Sequence, residues 1–136
     1  MENPVVIVDG YNALLFLAHL EHNHPENYNF SVEREYFLRV LAKRRLKEKW
    51  IIVFDGKENA LHIKRERGLW VIFTPENEEA DEIIVEIVSG RKIGQPPLQL
   101  SIINQRMCVI TDDRELRKRV KVARPNTEIR GVGFLN

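Results

Sequence analysis

Four short apolar runs recur along the chain: PVVIVD at 4–9, WIIVFDG at 50–56, GLWVIFT at 68–74 and MCVIT at 107–111. Each is continuous rather than alternating, the pattern of a strand covered on both faces in a parallel sheet. The segments between them change period. ALLFLAHL, opened by Asn12 or the turn before it, predicts a short helix. Ser31 reads as the N-cap of a second helix, with Glu33 and Glu35 in its favourable first turn. Val32, Tyr36, Phe37, Val40 and Leu41 follow at helical spacing, and that helix is expected to run to about Lys49. Thr74-Pro75 predicts a third helix, because proline suits the first helical position, with Ala80, Ile83, Ile84, Ile87 and Val88 as its buried stripe. DDRELRKRV predicts a fourth helix directly after MCVIT, and the end of the chain has room for a fifth short strand.

Strands and helices therefore alternate. The simplest architecture is an α/β domain of three layers, a doubly wound and mostly parallel sheet with helices on both faces. Residues 1–136 read as a single domain with a loop-rich insertion at about 90–106, in which LQLSII has the character of a short strand. In such sheets ligands bind beyond the C-terminal ends of the strands.

That edge is where the acids gather. Asp9, Asp55 and the pair Asp112-Asp113 end three of the strands, and Glu78-Glu79-Ala80-Asp81 follows a fourth. Like charges brought together repel, and partial burial raises the cost of keeping them ionised, so a cluster of this kind is stable mainly around a cation. Oxygen ligands favour Mg²⁺ or Mn²⁺. Simpler roles exist for each acid. Asp9-Gly10 and Asp55-Gly56 suit tight turns, Asp112 with Glu115 fits a capping box, and Asp81 sits where any acid favours a helix start. Asn12 could add a neutral oxygen, bind substrate or cap its helix, and Gly10 would let the chain approach a bound phosphate closely. His19, His22 and His24 lack the spacing of a helical metal site and read as surface residues.

Composition narrows the class further. With 43% hydrophobic and 30% charged residues the chain is an ordinary globular protein, and no run reaches a membrane span. Glu2 in place of a basic front argues against a signal peptide, so a cytoplasmic location is the default expectation. Cys108 lies in an apolar run and reads as a buried small hydrophobe. Net charge is only +1, yet six basic residues against one acid fill 39–49, and six against one fill 114–124. Solvated helix faces explain these runs; so does a surface that grips phosphates around an acidic centre.

VVIVDGYNAL, WIIVFDG, VIFTPENEEADEIIVEIV and CVITDDRELRKR together resemble the YacP-like type of the NYN domain family, within the PIN-like nucleases. The resemblance runs from residue 4 to about 120. It implies a PIN-like doubly wound fold and a divalent-metal-dependent ribonuclease using Mg²⁺ or Mn²⁺. Carried over by motif, the catalytic and metal-binding acids fall on Asp9, Asp81 and either Asp112 or Asp113, with Glu78 and Asp55 as secondary ligands. Asn12, Tyr11, Arg114, Arg117 and Lys118 are the expected substrate contacts. Lys43, Arg44 and Arg45 would join them only if their helix end comes round to that side. Such an enzyme would hydrolyse RNA phosphodiester bonds, endonucleolytically, leaving a 5′-phosphate and a 3′-hydroxyl. A PIN-like RNA-binding or scaffold protein without turnover is the main alternative. A haloacid-dehalogenase-like phosphatase fits less well, because the D-x-D it needs is interrupted by Tyr11. No G-x-G-x-x-G follows the first strand, which disfavours dinucleotide binding. RNA is the expected partner and no membrane is; the sequence leaves a ribosomal association and the oligomeric state open.

Overall fold

A computed structural model of the chain describes residues 4–21, 30–44, 48–91 and 106–135, with the side chains of 17–21 and of 30–31 outside that description. Six strands form one sheet: β1 (Val5–Asp9), β2 (Lys49–Phe54), β3 (His62–Glu66), β4 (Leu69–Phe73), β5 (Met107–Ile110) and β6 (Glu128–Arg130). Their order is β3-β4-β2-β1-β5-β6, parallel throughout except for the β3–β4 hairpin. Four helices cover it: α1 (Gly10–Glu21), α2 (Phe30–Arg44), α3 (Ala80–Val88) and α4 (Arg114–Ala123). A 3₁₀ helix, Val132–Leu135, follows β6.

The period-two geometry of a strand divides the apolar residues between two cores. Val5, Ile7, Ile51, Val53, Met107 and Val109 pack beneath α3 and α4. Val6, Val8, Ile52, Phe54, Cys108 and Ile110 pack beneath α1, α2 and the 3₁₀ helix. The continuous strand runs are thus apolar because both of their faces are covered. Each fully buried isoleucine or leucine contributes about 1.5–3 kcal/mol relative to exposure. Among the described residues no helix is long and apolar enough to cross a membrane.

Several local expectations are corrected. The chain after β4 passes through turns at 76–78, and α3 begins only at Ala80, with Glu79 as its N-cap. Pro75 therefore lies in the approach to the helix; Thr74 spends its hydroxyl donating to the Glu78 carbonyl, which holds that approach in a turn. The stripe from Ala80 to Val88 is buried as expected. Helix α2 starts at Phe30, so Ser31 lies inside it, and it ends at Arg44; Lys49 opens β2. Its buried face is Phe37, Leu38 and Leu41, whereas Val32 and Tyr36 are 62% and 48% exposed. Strand β3 was not anticipated. HIKRE is a charged edge strand without an apolar face to betray it, the usual protection of an exposed edge. Arg67 and Gly68, at φ 52° and 80°, make the tight two-residue turn into β4. The strand expected in LQLSII lies outside the described residues.

Gly10 joins β1 to α1 with no intervening loop. A Cβ there would come within 2.5 Å of the Phe54 ring and 2.7 Å of the Val53 carbonyl oxygen. The glycine is therefore needed for close approach to neighbouring β2, not to a ligand. Gly10→Ala should destabilise the fold by about 1–3 kcal/mol, as overpacking against backbone does; urea unfolding of the two proteins measures it.

Candidate active site at the C-terminal edge of the sheet

Strand parity builds this site. Asp9 continues the odd-numbered side of β1 after Val5 and Ile7, so its side chain leaves the sheet on the face of α3 and α4. Asp55 continues Ile51 and Val53, and Thr111 continues Met107 and Val109, on that same face. Helices α3 and α4 both start at this edge, because each follows a parallel strand that ends there. Asp81 lies in the first turn of α3 and Asp113 is the N-cap of α4. One rule of alternation and one of connection thus bring together acids separated by a hundred residues of chain.

Asp9 is only 8% exposed. Its Oδ2 accepts a 2.9 Å hydrogen bond from the Thr111 hydroxyl, and the same hydroxyl oxygen accepts from the Asp113 N–H at 3.1 Å. Burial pushes the Asp9 carboxyl from its ordinary 3.8 up to about 6; the Thr111 hydrogen bond opposes this, and the charges of Asp81, Asp113 and Asp55 add to it. Asp81 is raised as well, chiefly by burial and then by Asp113 and Glu79, with Arg119 pulling the other way. The N-termini of α3 and α4 offset part of this cost. A helix end stabilises a nearby acid by about 0.3–1 kcal/mol, well short of the roughly 3 kcal/mol implied by the Asp9 shift.

The remaining candidates occupy distinct positions. Asp55 accepts from the Ala80 N–H at 2.8 Å, capping the start of α3 across the sheet rather than its own turn. Asp113, not Asp112, caps α4, accepting from the Leu116 N–H at 3.0 Å. Asp112 instead accepts from the Val132 N–H at 3.1 Å and lies 3.8 Å from Arg117 Nη2. It fastens the 3₁₀ helix to the β5–α4 loop, while Asp113 is the one of the pair whose charge bears on Asp9 and Asp81. Asn12 Oδ1 accepts from the Asp112 N–H at 2.9 Å, so this side chain bridges α1 to the same loop instead of capping its own helix. Arg117 gives its Nε to the Thr111 carbonyl at 2.9 Å, and Lys118 sits 3.5 Å from Glu115 on an open surface. Arg114 is exposed at the first position of α4. Glu78 is half-buried in the turn before α3. Lys43 and Arg44 end α2 just before β2 begins, which puts them at the opposite edge of the sheet. Arg45, His22 and His24 lie outside the described residues, as does the side chain of His19.

Sequence reasoning missed a second feature. On the α1/α2 side of the same edge is a cavity of about 780 Å³ whose lining includes Tyr11, Arg34, Asp55, Lys57, Lys64 and Phe73. Its cations come from the start of α2, the β2–β3 connection and the edge strand, none of them part of the two basic runs. The legible signal was Arg34 in the first turns of a helix that must begin near this edge in order to end at the other.

The donors suit a hard divalent cation in kind: carboxylates alone, held at an edge where each raises the cost of ionising the next. Among the described residues no three Asp, Glu, His or Cys side chains are grouped as a finished ligand set, so a cation would have to turn side chains toward itself.

A six-stranded, mostly parallel sheet with helices on both faces and acids along its C-terminal edge defines a PIN-like domain of nuclease type. The chain belongs to the YacP-like NYN domain family, which it matches over residues 6–124. It shares its fold with the crystal structure of a tryptophan-to-leucine mutant of Rae1 (YacP) from Bacillus subtilis, with a TM-score of 0.70 and 22% identity over 98% of this chain and 72% of that one. A second crystal structure of Rae1 (YacP) from Bacillus subtilis gives a TM-score of 0.66 and 23% identity, over 96% of this chain and 70% of that one. No curated protein sequence matches the chain.

The raised Asp9 value has a signed consequence for stability. Folded Asp9 holds its proton until about pH 6, whereas the unfolded chain gives it up near 3.8, so the folded state binds more protons between the two. Stability contributed at this position therefore falls as pH rises through that window. In metal-free buffer at pH 7.5, Asp9→Asn should be more stable than the wild type by up to about 3 kcal/mol, and the gap should close toward pH 4. Thermal unfolding across that range measures both.

Proposed function

We propose that the protein is a divalent-metal-dependent ribonuclease that cuts RNA endonucleolytically, leaving a 5′-phosphate and a 3′-hydroxyl. The observation that carries this reading is a buried carboxylate, Asp9, at a strand end where Asp81, Asp113 and Asp55 all disfavour its ionisation. A protein that only bound RNA would gain nothing from negative charge at such a cost. Membership of a nuclease-like family and the PIN-like fold support the same reading.

Asp9, Asp81 and Asp113 would hold Mg²⁺ or Mn²⁺, which when bound supplies a water of lowered pKa and offsets charge on the phosphoryl oxygens. Asp112 is the further candidate, at present turned to Val132 and Arg117. The chain's own groups do the positioning. Thr111 fixes Asp9 through its hydroxyl and sets the Asp113 backbone through the same oxygen. Asn12 ties α1 to the loop that carries Asp113, so the two ligand-bearing segments keep their spacing. Arg117 braces the Thr111 carbonyl from behind. Arg114 and Lys118, exposed on the first turns of α4, are in position to meet backbone phosphates on either side of the edge. The attacking group is water, so the ribose 2′-hydroxyl is not the nucleophile.

The test is cleavage of end-labelled RNA by the purified protein with Mn²⁺, beside EDTA and the variants Asp9→Asn and Asp81→Asn, with the product ends mapped. Metal-dependent internal cuts bearing 5′-phosphates are expected, falling by on the order of a hundredfold or more in either variant, beyond the loss seen when only a ligand's supporting partner is removed. Mn²⁺ should also raise the unfolding temperature of the wild type and leave that of Asp9→Asn nearly unmoved. Equal cleavage by all three proteins would remove the acids from the chemistry; RNA binding without turnover in any of them would favour a binding role.

A further inference from the structure

The cavity on the α1/α2 side has no part in holding the acids, yet it opens on the same edge and shares Asp55 with it. Its floor is aromatic: Phe54 and Phe73 stack at 5.6 Å and 23°, and Tyr11 meets Phe54 edge-on at 5.1 Å. Over that floor stand cations. The Arg34 guanidinium is 5.1 Å from the centre of Phe73 and 5.9 Å from that of Phe54, and Lys64 Nζ is 5.7 Å from Phe73. Among the described residues Arg34 has these rings and no carboxylate as partners, and Lys57 at the rim makes no ion pair, while Lys64 is joined to Glu66 at 3.3 Å.

We propose that this cavity is a nucleotide subsite, taking one unstacked nucleotide of single-stranded RNA beside the bond to be cut. The base lies against Phe73 and Tyr11, and the phosphate is met by Arg34 and Lys57. That the ligand is RNA rests on the ribonuclease reading; that it is a planar anion rests on the cavity itself. A volume of about 780 Å³ is ample for one nucleotide. A structural role for Arg34 as a cation over two rings would account for that residue alone and leaves Lys57 unexplained. An acidic peptide would satisfy the cations and make no use of the aromatic floor. A nucleotide uses both, since a base stacks on aromatic rings or on a guanidinium plane while its phosphate takes the charge. In a duplex the bases remain stacked on one another and cannot enter, so the subsite selects single strands. RNA would then cross the sheet edge from the α4 side, over the acids, to the cavity.

The experiment is equilibrium binding in EDTA of a short dye-labelled single-stranded oligoribonucleotide, its duplex and a polyglutamate peptide of similar charge. The proteins are the wild type, Lys57→Gln, Arg34→Gln with Lys57→Gln, and Phe73→Leu, each checked for fold by circular dichroism. The wild type should prefer the single strand. Phe73→Leu should weaken it about tenfold, the lower part of the range for losing one base–aromatic stack. The double cation variant should weaken it comparably and reduce the salt slope by about two. Lys57 is fully exposed, so Lys57→Gln alone reads the phosphate contact without disturbing the core. Photo-cross-links from 5-bromouridine should map to Tyr11 or Phe73. Wild-type affinity in every variant, equal binding of duplex or polyglutamate, no RNA binding by the wild type, or cross-links confined to α4 would each overturn the subsite. Selective binding lost in the variants, with no cleavage when Mn²⁺ is added to the wild type, would uphold the subsite and remove the ribonuclease reading. Cleavage by variants that bind normally would do the reverse.

Discussion

The hydrogen bond from the Thr111 hydroxyl to Asp9 joins the ends of β1 and β5, and the organisation of the acidic edge follows from it. Asp9 is buried by the sheet and helices around it, and burial raises its carboxyl to about 6. One donor lowers the cost of that burial without cancelling it. The same hydroxyl accepts from the Asp113 backbone, so the geometry that steadies Asp9 also sets where α4 begins. Asp113 then caps α4 while its charge acts back on Asp9. Fold and site are coupled through one threonine side chain.

Around that bond the two faces of the sheet edge divide the work. On the α3/α4 face lie the acids, each with one structural partner: Asp55 on Ala80, Asp113 on Leu116, Asp9 on Thr111. On the α1/α2 face lies an aromatic floor topped by cations. In the proposed reading the first face performs the hydrolysis and the second holds the chain being cut. Positive charge would then be supplied where phosphates lie and withheld from where a metal would sit. This is consistent with a net charge of only +1, since the field that matters is local.

Most of the layer order was legible because strand and helix periods differ so plainly. VVIVD, WIIVF and MCVI cannot be amphipathic elements, and their covering on both faces follows. Errors arose where local chemistry had two uses. Thr74-Pro75 has the form of a helix start, yet Thr74 bonds to Glu78 and delays the helix to Ala80. The D-x-x-E spacing singled out Asp112 as a cap, but the neighbouring Asp113 does the capping, because Asp112 is drawn to the Val132 N–H twenty residues away. Val32 and Tyr36 fit a helical stripe by spacing and still face outward, since the stripe that α2 buries is rotated to include Leu38. Strand β3 escaped notice because edge strands are kept polar, which removes the signal that pattern reading depends on.

By itself the sequence determined the α/β class, the acids at the strand ends and the shared edge on which they had to lie. Parity and the parallel sense of the strands are properties of the backbone, and apolar spacing records both. Which acids share an electrostatic environment was decided only by the tertiary structure. That depends on hydrogen bonds between Asp9 and Thr111, Asn12 and Asp112, and Val132 and Asp112, each spanning segments far apart in the chain. The cationic cavity was likewise invisible, because Arg34, Lys57 and Lys64 come from three different elements. They meet only when α2 and the β3 edge close over Phe73.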